Sequence, residues 1–319
     1  MTRTLGAWSW RALPPLALVA LLWHVVDVDA VLARLRGADP RWLLAGVALV
    51  QLQVILSALR WQLTAQRLGQ PLALGRAVRE YYLATLLNRV LPGGMAGDAA
   101  RALRAPGDVP TGLAVQGVVI ERLGGQLALF AVTVAGLASW PLLVDEPAPR
   151  AALVALAVVP LLVLVGVFLV RASAARGPVR WRRAAANLGP AFRRSWFEDG
   201  AWLTQGVLSL AVTAGYIGVF AVAALASGAP LPTAALATIV PLALASMLLP
   251  FSVGGWGLRE GAAAALWPLV GLAPEAGVAA SVLYGLVSLV GSAPGLLVAT
   301  AAAFERAAPR ASRQPGGET

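Results

Sequence analysis

Apolar run length constrains this chain before any motif does. Six stretches, at about 13–28, 42–59, 111–140, 150–170, 201–226 and 274–303, carry few or no charges, and most exceed 17 residues. An α-helix rises 1.5 Å per residue, so about 20 apolar residues cross the ~30 Å hydrocarbon core of a bilayer. A soluble domain needs roughly 25% charged residues, and only 13% are charged here, against 59% hydrophobic. The expected fold class is an all-α polytopic membrane protein with six spanning helices. Val28-Asp29-Ala30 could end a cleaved signal peptide, but Pro14-Pro15 sits inside the first run and favours a retained span.

Arginine placement predicts orientation. The chain has 25 arginines, no lysine and a net charge of +10. Basic residues accumulate in cytoplasmic loops. Sixteen arginines fall on one side if both termini are cytoplasmic: two before the first run, Arg60, Arg67, Arg76 and Arg79 after the second, seven in the basic loop 171–199, and Arg306, Arg310 and Arg313 in the tail. The other side has one basic loop, 29–41, where a short amphipathic interfacial helix is expected. Trp8, Trp10, Trp42, Trp61, Trp140 and Trp202 lie near predicted helix ends, where indole favours the headgroup region. Trp181 and Trp196 suggest that the basic loop hugs the membrane surface. An RNA-binding reading of that loop is the lesser alternative, and no nucleic-acid partner is expected.

Two segments are not simple spans. In 80–108 the chain reads Leu91-Pro92-Gly93-Gly94-Met95-Ala96-Gly97-Asp98, and in 233–270 it reads Leu249-Pro250-Phe251-Ser252-Val253-Gly254-Gly255-Trp256-Gly257. Pro and Gly break a helix and free backbone groups, which is tolerated at membrane depth only against protein or a wet cavity. Both segments therefore predict re-entrant helical hairpins, with ordinary Pro-kinked helices as the alternative. The Leu-Pro breaks lie 158 residues apart, and the run at 42 recurs near 201. With the derived orientation, the halves 1–140 and 150–304 become inverted repeats within one membrane-embedded domain, 1–304. Residues 305–319 form an expected disordered cytoplasmic tail. Such paired broken segments point to a transporter's midplane site.

Five arginines stand in or beside embedded segments: Arg89, Arg101, Arg104, Arg122 and Arg259. Glu80, Asp98, Glu121 and Glu260 are their neighbours in sequence. A charge at a helix centre costs about 2.5–3.5 kcal/mol on insertion scales, so these residues should face a cavity or one another. Guanidinium binds phosphate bidentately and stays charged when buried, and a glycine turn leading into a helix N-terminus presents free N–H groups to anions. The candidate substrate-binding set is Asn88, Gly93, Gly97, Asp98, Arg101, Glu121, Arg122, Gly254, Gly255, Arg259 and Glu260. Arg101, Arg122 and Arg259 are candidate phosphate contacts and the carboxylates orient them. The alternative is that the charges neutralise each other and pin the hairpins. Asn88 could satisfy backbone freed at the Pro92 break.

Several chemistries drop out. There is no Cys, and the one His, His24, lies in the first apolar run. This removes disulfides, thiolates, His-dependent triads and zinc sites. No metal, cofactor or catalytic residue is expected. Without Lys there is no Walker motif to use ATP.

At these residues the chain resembles the flippase-like membrane domain of lysylphosphatidylglycerol synthases, also called uncharacterised protein family 0104. The family's Asn, Leu-Pro-Gly, Gly-[Glu/Asp] and following Arg look like Asn88, Leu91-Pro92-Gly93, Gly97-Asp98 and Arg101. Its Glu-Arg-Leu matches Glu121-Arg122-Leu123, and its late Pro, Gly-Gly, Gly and Glu match Pro250, Gly254-Gly255, Gly257 and Glu260. The resemblance covers nearly the whole chain. It departs at Tyr284-Gly285, where the family often has Tyr-Arg, and at Asp98, where Glu is common. With no soluble aminoacyl-transferase domain after residue 304, the chain is not expected to aminoacylate lipid by itself. The resemblance implies a lipid flippase or transporter of the bacterial plasma membrane, acting on membrane lipids with a phosphate-bearing headgroup. The alternatives are a membrane-embedded transferase using Asp98 or Glu121 as acid or base, and a scaffold for a separately encoded lipid-modifying enzyme.

Overall fold

The chain is described by a computed structural model, which describes residues 26–91, 93–106, 109–143, 187–248 and 253–307, plus scattered positions between 164 and 186. The apolar runs at 13–28 and 150–170 lie almost wholly outside the described residues. So do Pro92, Leu249-Pro250, most of the basic loop before 187, and residues 308–319.

The described regular elements are helical. Asp27 caps α1 (Val28–Arg36) by accepting from the Ala30 N–H, and Asp39 with Pro40 starts α2 (Pro40–Arg67). Both are the usual N-terminal signals. The helix predicted in 29–41 is thus present as α1. Then follow α3 (Leu74–Val90), α4 (Ala96–Leu103) and α5 (Thr111–Ala138). After one further turn, Trp140–Leu143, the described chain resumes at α6 (Leu188–Trp196) and α7 (Ala201–Ala226). The second broken segment forms α8 (Thr233–Ala237), α9 (Ile239–Ala245) and α10 (Leu258–Leu266). Two helices close the fold, α11 (Pro274–Gly291) and α12 (Pro294–Ala307), parted by a two-residue interruption at Ser292-Ala293.

Four helical stretches are long and apolar enough to cross a membrane: Pro40–Arg67, Thr111–Ala138, Glu198–Ala226 and Pro274–Ala301. Their burial pattern is that of a membrane protein turned apolar side out. Leu44, Leu52, Leu203, Val207, Leu210, Val290 and Leu297 are exposed, whereas Gln53, Ser57, Arg60, Thr64, Gln205, Ser209 and Thr213 are buried. In water such exposed apolar area would drive association; in lipid it costs nothing. The chain is a multi-pass membrane protein.

α2 and α7 form the central pair. They pack antiparallel along the buried polar stripe: Gln53 Nε2 donates to the Val212 carbonyl (3.4 Å), Arg60 Nη1 to Ser209 Oγ (3.2 Å) and Gln205 Nε2 to Thr64 Oγ1 (3.1 Å). Small residues let other helices approach. At Gly136 of α5 a Cβ would run into the Ala237 carbonyl, and at Gly46 of α2 into Val287.

Three tryptophans depart from their predicted interfacial places. Trp61 and Trp140 are buried, and Trp196 on α6 stacks on Phe192 (5.6 Å) and fills the space above Gly124 of α5. The end of the basic loop is therefore a helix docked on the bundle. Helix–helix contact gives these rings more apolar surface than a headgroup region offers. Trp42 and Trp202 are exposed, in keeping with interfacial placement.

Candidate functional site

The first glycine turn creates the site's geometry. α3 ends at Val90, and Gly93 and Gly94, with φ of +84° and +61°, reverse the chain into α4. Positive φ suits glycine because it has no Cβ. Asn88 then bridges the turn: its Oδ1 accepts from the Gly97 N–H (2.7 Å) and its Nδ2 donates to Asp98 (3.1 Å). The expectation that Asn88 satisfies backbone freed by the break holds at Gly97. Gly97 sits so close to α3 that a Cβ would collide with the Ala84 backbone. Replacing Asn88 with Ala should cost about 1–2 kcal/mol, the range of a lost helix cap, readable as a lower thermal midpoint of the detergent-solubilised protein.

The turn delivers Asp98 and Arg101 to one face of α4, opposite α5. Arg101 is 1% exposed. Its Nη2 lies 2.8 Å from Asp98 and 2.6 Å from Glu121, and its guanidinium packs into the corner made by the tilted rings of Trp61 and Tyr81, 4.8 Å from each centroid. Glu121 also accepts from Arg60 (2.5 Å) and the Tyr81 hydroxyl (3.2 Å). Arg122 donates to Asp98 (2.9 Å), with 37% of its side chain exposed against 0% for Arg101. Three arginines thus share two carboxylates. One positive charge remains in excess, and Arg122 presents it. The Nε atoms of Arg60 and Arg122 and the Nη1 of Arg101 are buried with no hydrogen-bond partner among the described residues. Nearby, Glu80 holds Arg104 through two bonds of 2.7 and 3.0 Å.

A second cluster follows the second glycine turn. Gly254, Gly255 and Gly257 have φ of +57°, +85° and +85°. Glu260 accepts from the Gly257 N–H (2.6 Å), from Arg259 (2.7 Å) and from Ser281 Oγ (2.8 Å), and Arg259 Nε donates to the same Ser281 (2.8 Å). Arg259 is fully enclosed between Trp256 (5.3 Å) and Tyr284 (4.7 Å). At Gly285, where the resemblance would place an arginine, a Cβ would come within 2.6 Å of both Arg259 and Trp256. The missing side chain makes room for them.

The candidate residues therefore assemble into two neighbourhoods. Arg101 and Arg122 meet on Asp98, while Arg259 and Glu260 form a centre with Ser281. They approach through α3. A Cβ on Gly254 would meet the Arg89 carbonyl at 2.7 Å, so the end of α3 abuts the second glycine turn. Arg89 lies within electrostatic reach of Arg259, Tyr284 and Tyr216, and Arg122 also reaches Tyr216. Arg89 Nε is a further buried donor without a partner among the described residues. The Tyr284 hydroxyl is likewise buried without a hydrogen-bond partner among the described residues.

Two features escaped the sequence reading. Arg60 counts there among the loop arginines that orient the chain. The helix runs on to Arg67, so Arg60 is buried and holds Glu121. The signal was present: Gln53, Ser57, Arg60 and Thr64 recur every three or four residues, one face of a helix. The aromatic rings packed against Arg101 and Arg259 come from distant segments, and no local pattern announces them. Among the described residues no three His, Cys, Asp or Glu side chains come together as a metal site.

A family model described as the lysylphosphatidylglycerol synthase TM region matches residues 11–295. Comparisons with curated proteins and with solved structures return no significant match.

Proposed function

Since the chain belongs to the lysylphosphatidylglycerol synthase transmembrane family, we propose that it moves a lipid with an anionic or polar, phosphate-bearing headgroup between leaflets. The observation that carries this reading is the part-exposed Arg122, held on Asp98 at the edge of a buried network with surplus positive charge. A guanidinium fixed by a carboxylate is pre-oriented for a phosphate oxygen. Arg122 also keeps a buried Nε–H without a partner among the described residues, as does Arg89. Arg101, Arg259 and their carboxylates act as positioning groups, since each lies enclosed within its own half.

An inverted-repeat architecture fits the same observations. Gln53 and Val212, 159 residues apart, touch where α2 crosses α7. Contact between equivalent positions is what a two-fold axis produces. Arg101 and Arg259, 158 residues apart, each pack against two aromatic rings beside a glutamate. On this reading the two helix–turn–helix units are re-entrant, and the arginine-rich ends of α2, α3 and α4 face the cytoplasm of a bacterial cell. We read the site as non-catalytic, because Asp98 and Glu121 are each engaged by two arginines and neither is free to shuttle a proton.

The test is translocation of fluorescent phosphatidylglycerol in vesicles holding the purified protein, followed by dithionite bleaching of the outer leaflet. Wild type should add a protein-dependent bleachable fraction. Arg122→Ala should slow it about 10–100-fold, the worth of one or two charge-assisted hydrogen bonds, with its thermal midpoint close to wild type. Wild-type vesicles that bleach like empty ones would overturn the reading.

A further inference from the structure

A further set of unpaired donors belongs to residues of a recess that Arg122 does not line. The α2–α3 connection, the first half of α3, the end of α4 and the start of α5 enclose a narrow recess. Trp61, Gln70, Arg76, Glu80, Arg101 and Arg104 line it. It opens at the end of the bundle that also carries Arg67 and Arg79.

Two buried atoms give the recess a chemical preference. The Trp61 indole N–H and Arg101 Nη1 have no hydrogen-bond partner among the described residues. Trp61 is 6% and Arg101 1% exposed. Indole and guanidinium donate hydrogen bonds and cannot accept them. Two unmet donors in a buried place cost free energy until an acceptor reaches both. Gln70 is turned away, donating to the Leu113 carbonyl (2.8 Å).

The surrounding charge decides what kind of acceptor suits the site. Arg76 Nη2 donates to the Arg104 carbonyl (2.8 Å), Arg104 is held by Glu80, and Arg79 lies 3.8 Å from the same glutamate. Glu80 thus holds two arginines at the rim, Arg76 is tied to the backbone beside them, and the network beneath carries its own surplus cation. A neutral oxygen would satisfy the two donors but not the charge. The recess as a whole has room for about one oxygen-sized atom, so a larger group must stay outside and send one oxygen inward.

We infer that this recess is a second anion site, taking one oxygen of a phosphate-type anion between the Trp61 indole N–H and Arg101 Nη1, with Arg76 at its rim. The anion's source is a lipid headgroup or free phosphate, and the chemistry is shared. The site does not depend on lipid movement, so it can stand or fall apart from the transport reading.

The Trp61 indole signal reports on it directly. Protein labelled with 15N-tryptophan is prepared in a non-ionic detergent, and the Trp61 side-chain cross-peak is assigned by its loss in Trp61→Phe. Inorganic phosphate is titrated in one arm and short-chain phosphatidylglycerol in another, with sodium chloride at matched ionic strength as the control. The expected result is a saturable downfield shift of the Trp61 peak while the other indole peaks stay in place. A shift with both ligands identifies a free-anion site, and a shift with the lipid alone identifies a headgroup site; both support the proposal. Ala105→Phe, which fills the recess from its rim outside the ion network, should weaken the midpoint at least tenfold. No shift in either arm, an equal shift with chloride, or an unchanged midpoint in Ala105→Phe would overturn it.

Discussion

Glu121→Ala is expected to destabilise the protein by about 3–5 kcal/mol, the cost of leaving a buried charge without its partner. Glu121 is fully buried and accepts from Arg60, Arg101 and the Tyr81 hydroxyl. Its removal leaves buried Arg60 with Ser209 and buried Arg101 with Asp98 as their remaining side-chain hydrogen-bond partners among the described residues. The three arginines would then face one carboxylate. Repulsion should loosen the junction of α2, α4 and α5. Arg60→Met combined with Glu121→Gln removes one charge of each sign and should cost clearly less than the sum of the two single changes. Unfolding midpoints in mixed detergent would read this. A Glu121→Ala protein as stable as wild type would mean that the network contributes nothing to the fold.

Gly97→Ala should be among the most damaging methyl additions, at about 3 kcal/mol, the upper part of the usual overpacking range. The added Cβ would meet the backbone of Ala84, which cannot move aside as a flexible side chain can. α3 and α4 must separate, which pulls the Gly97 N–H from Asn88 and shifts Asp98 away from Arg122. Stability and lipid translocation should therefore fall together. Gly93→Ala provides the contrast. That position has a φ of +84° but open space around its Cβ, so only the backbone preference is lost, about 1–2 kcal/mol, and translocation should persist. A Gly97→Ala protein that behaves like Gly93→Ala would show that the close approach of α3 and α4 is not needed.

Much of the architecture was legible from run length and punctuation. The helices at 40–67, 111–138, 201–226 and 274–291 lie on predicted apolar runs, because burying a helix in lipid demands length and low charge, both local properties. The two glycine turns were visible because Gly and Pro act on their own backbone, whatever surrounds them. Helix ends were less legible. α2 continues eight residues past its apolar run, since Arg60 and Thr64 find partners on α5 and α7 that compensate their polarity.

The local sequence determined that this chain spans a membrane, where its helices break, and that charged residues stand beside the breaks. Each follows from short-range physics: hydrocarbon thickness, backbone freedom, and the cost of desolvating a charge. Only the tertiary structure decided which charges meet. It drew Arg60 out of the loop set to clamp Glu121, buried Arg101 and Arg259 against aromatic rings, and left Arg122 as the exposed member of the trio. Those outcomes depend on which helix faces which across the bundle, and pairings over 20 to 150 residues leave no local trace.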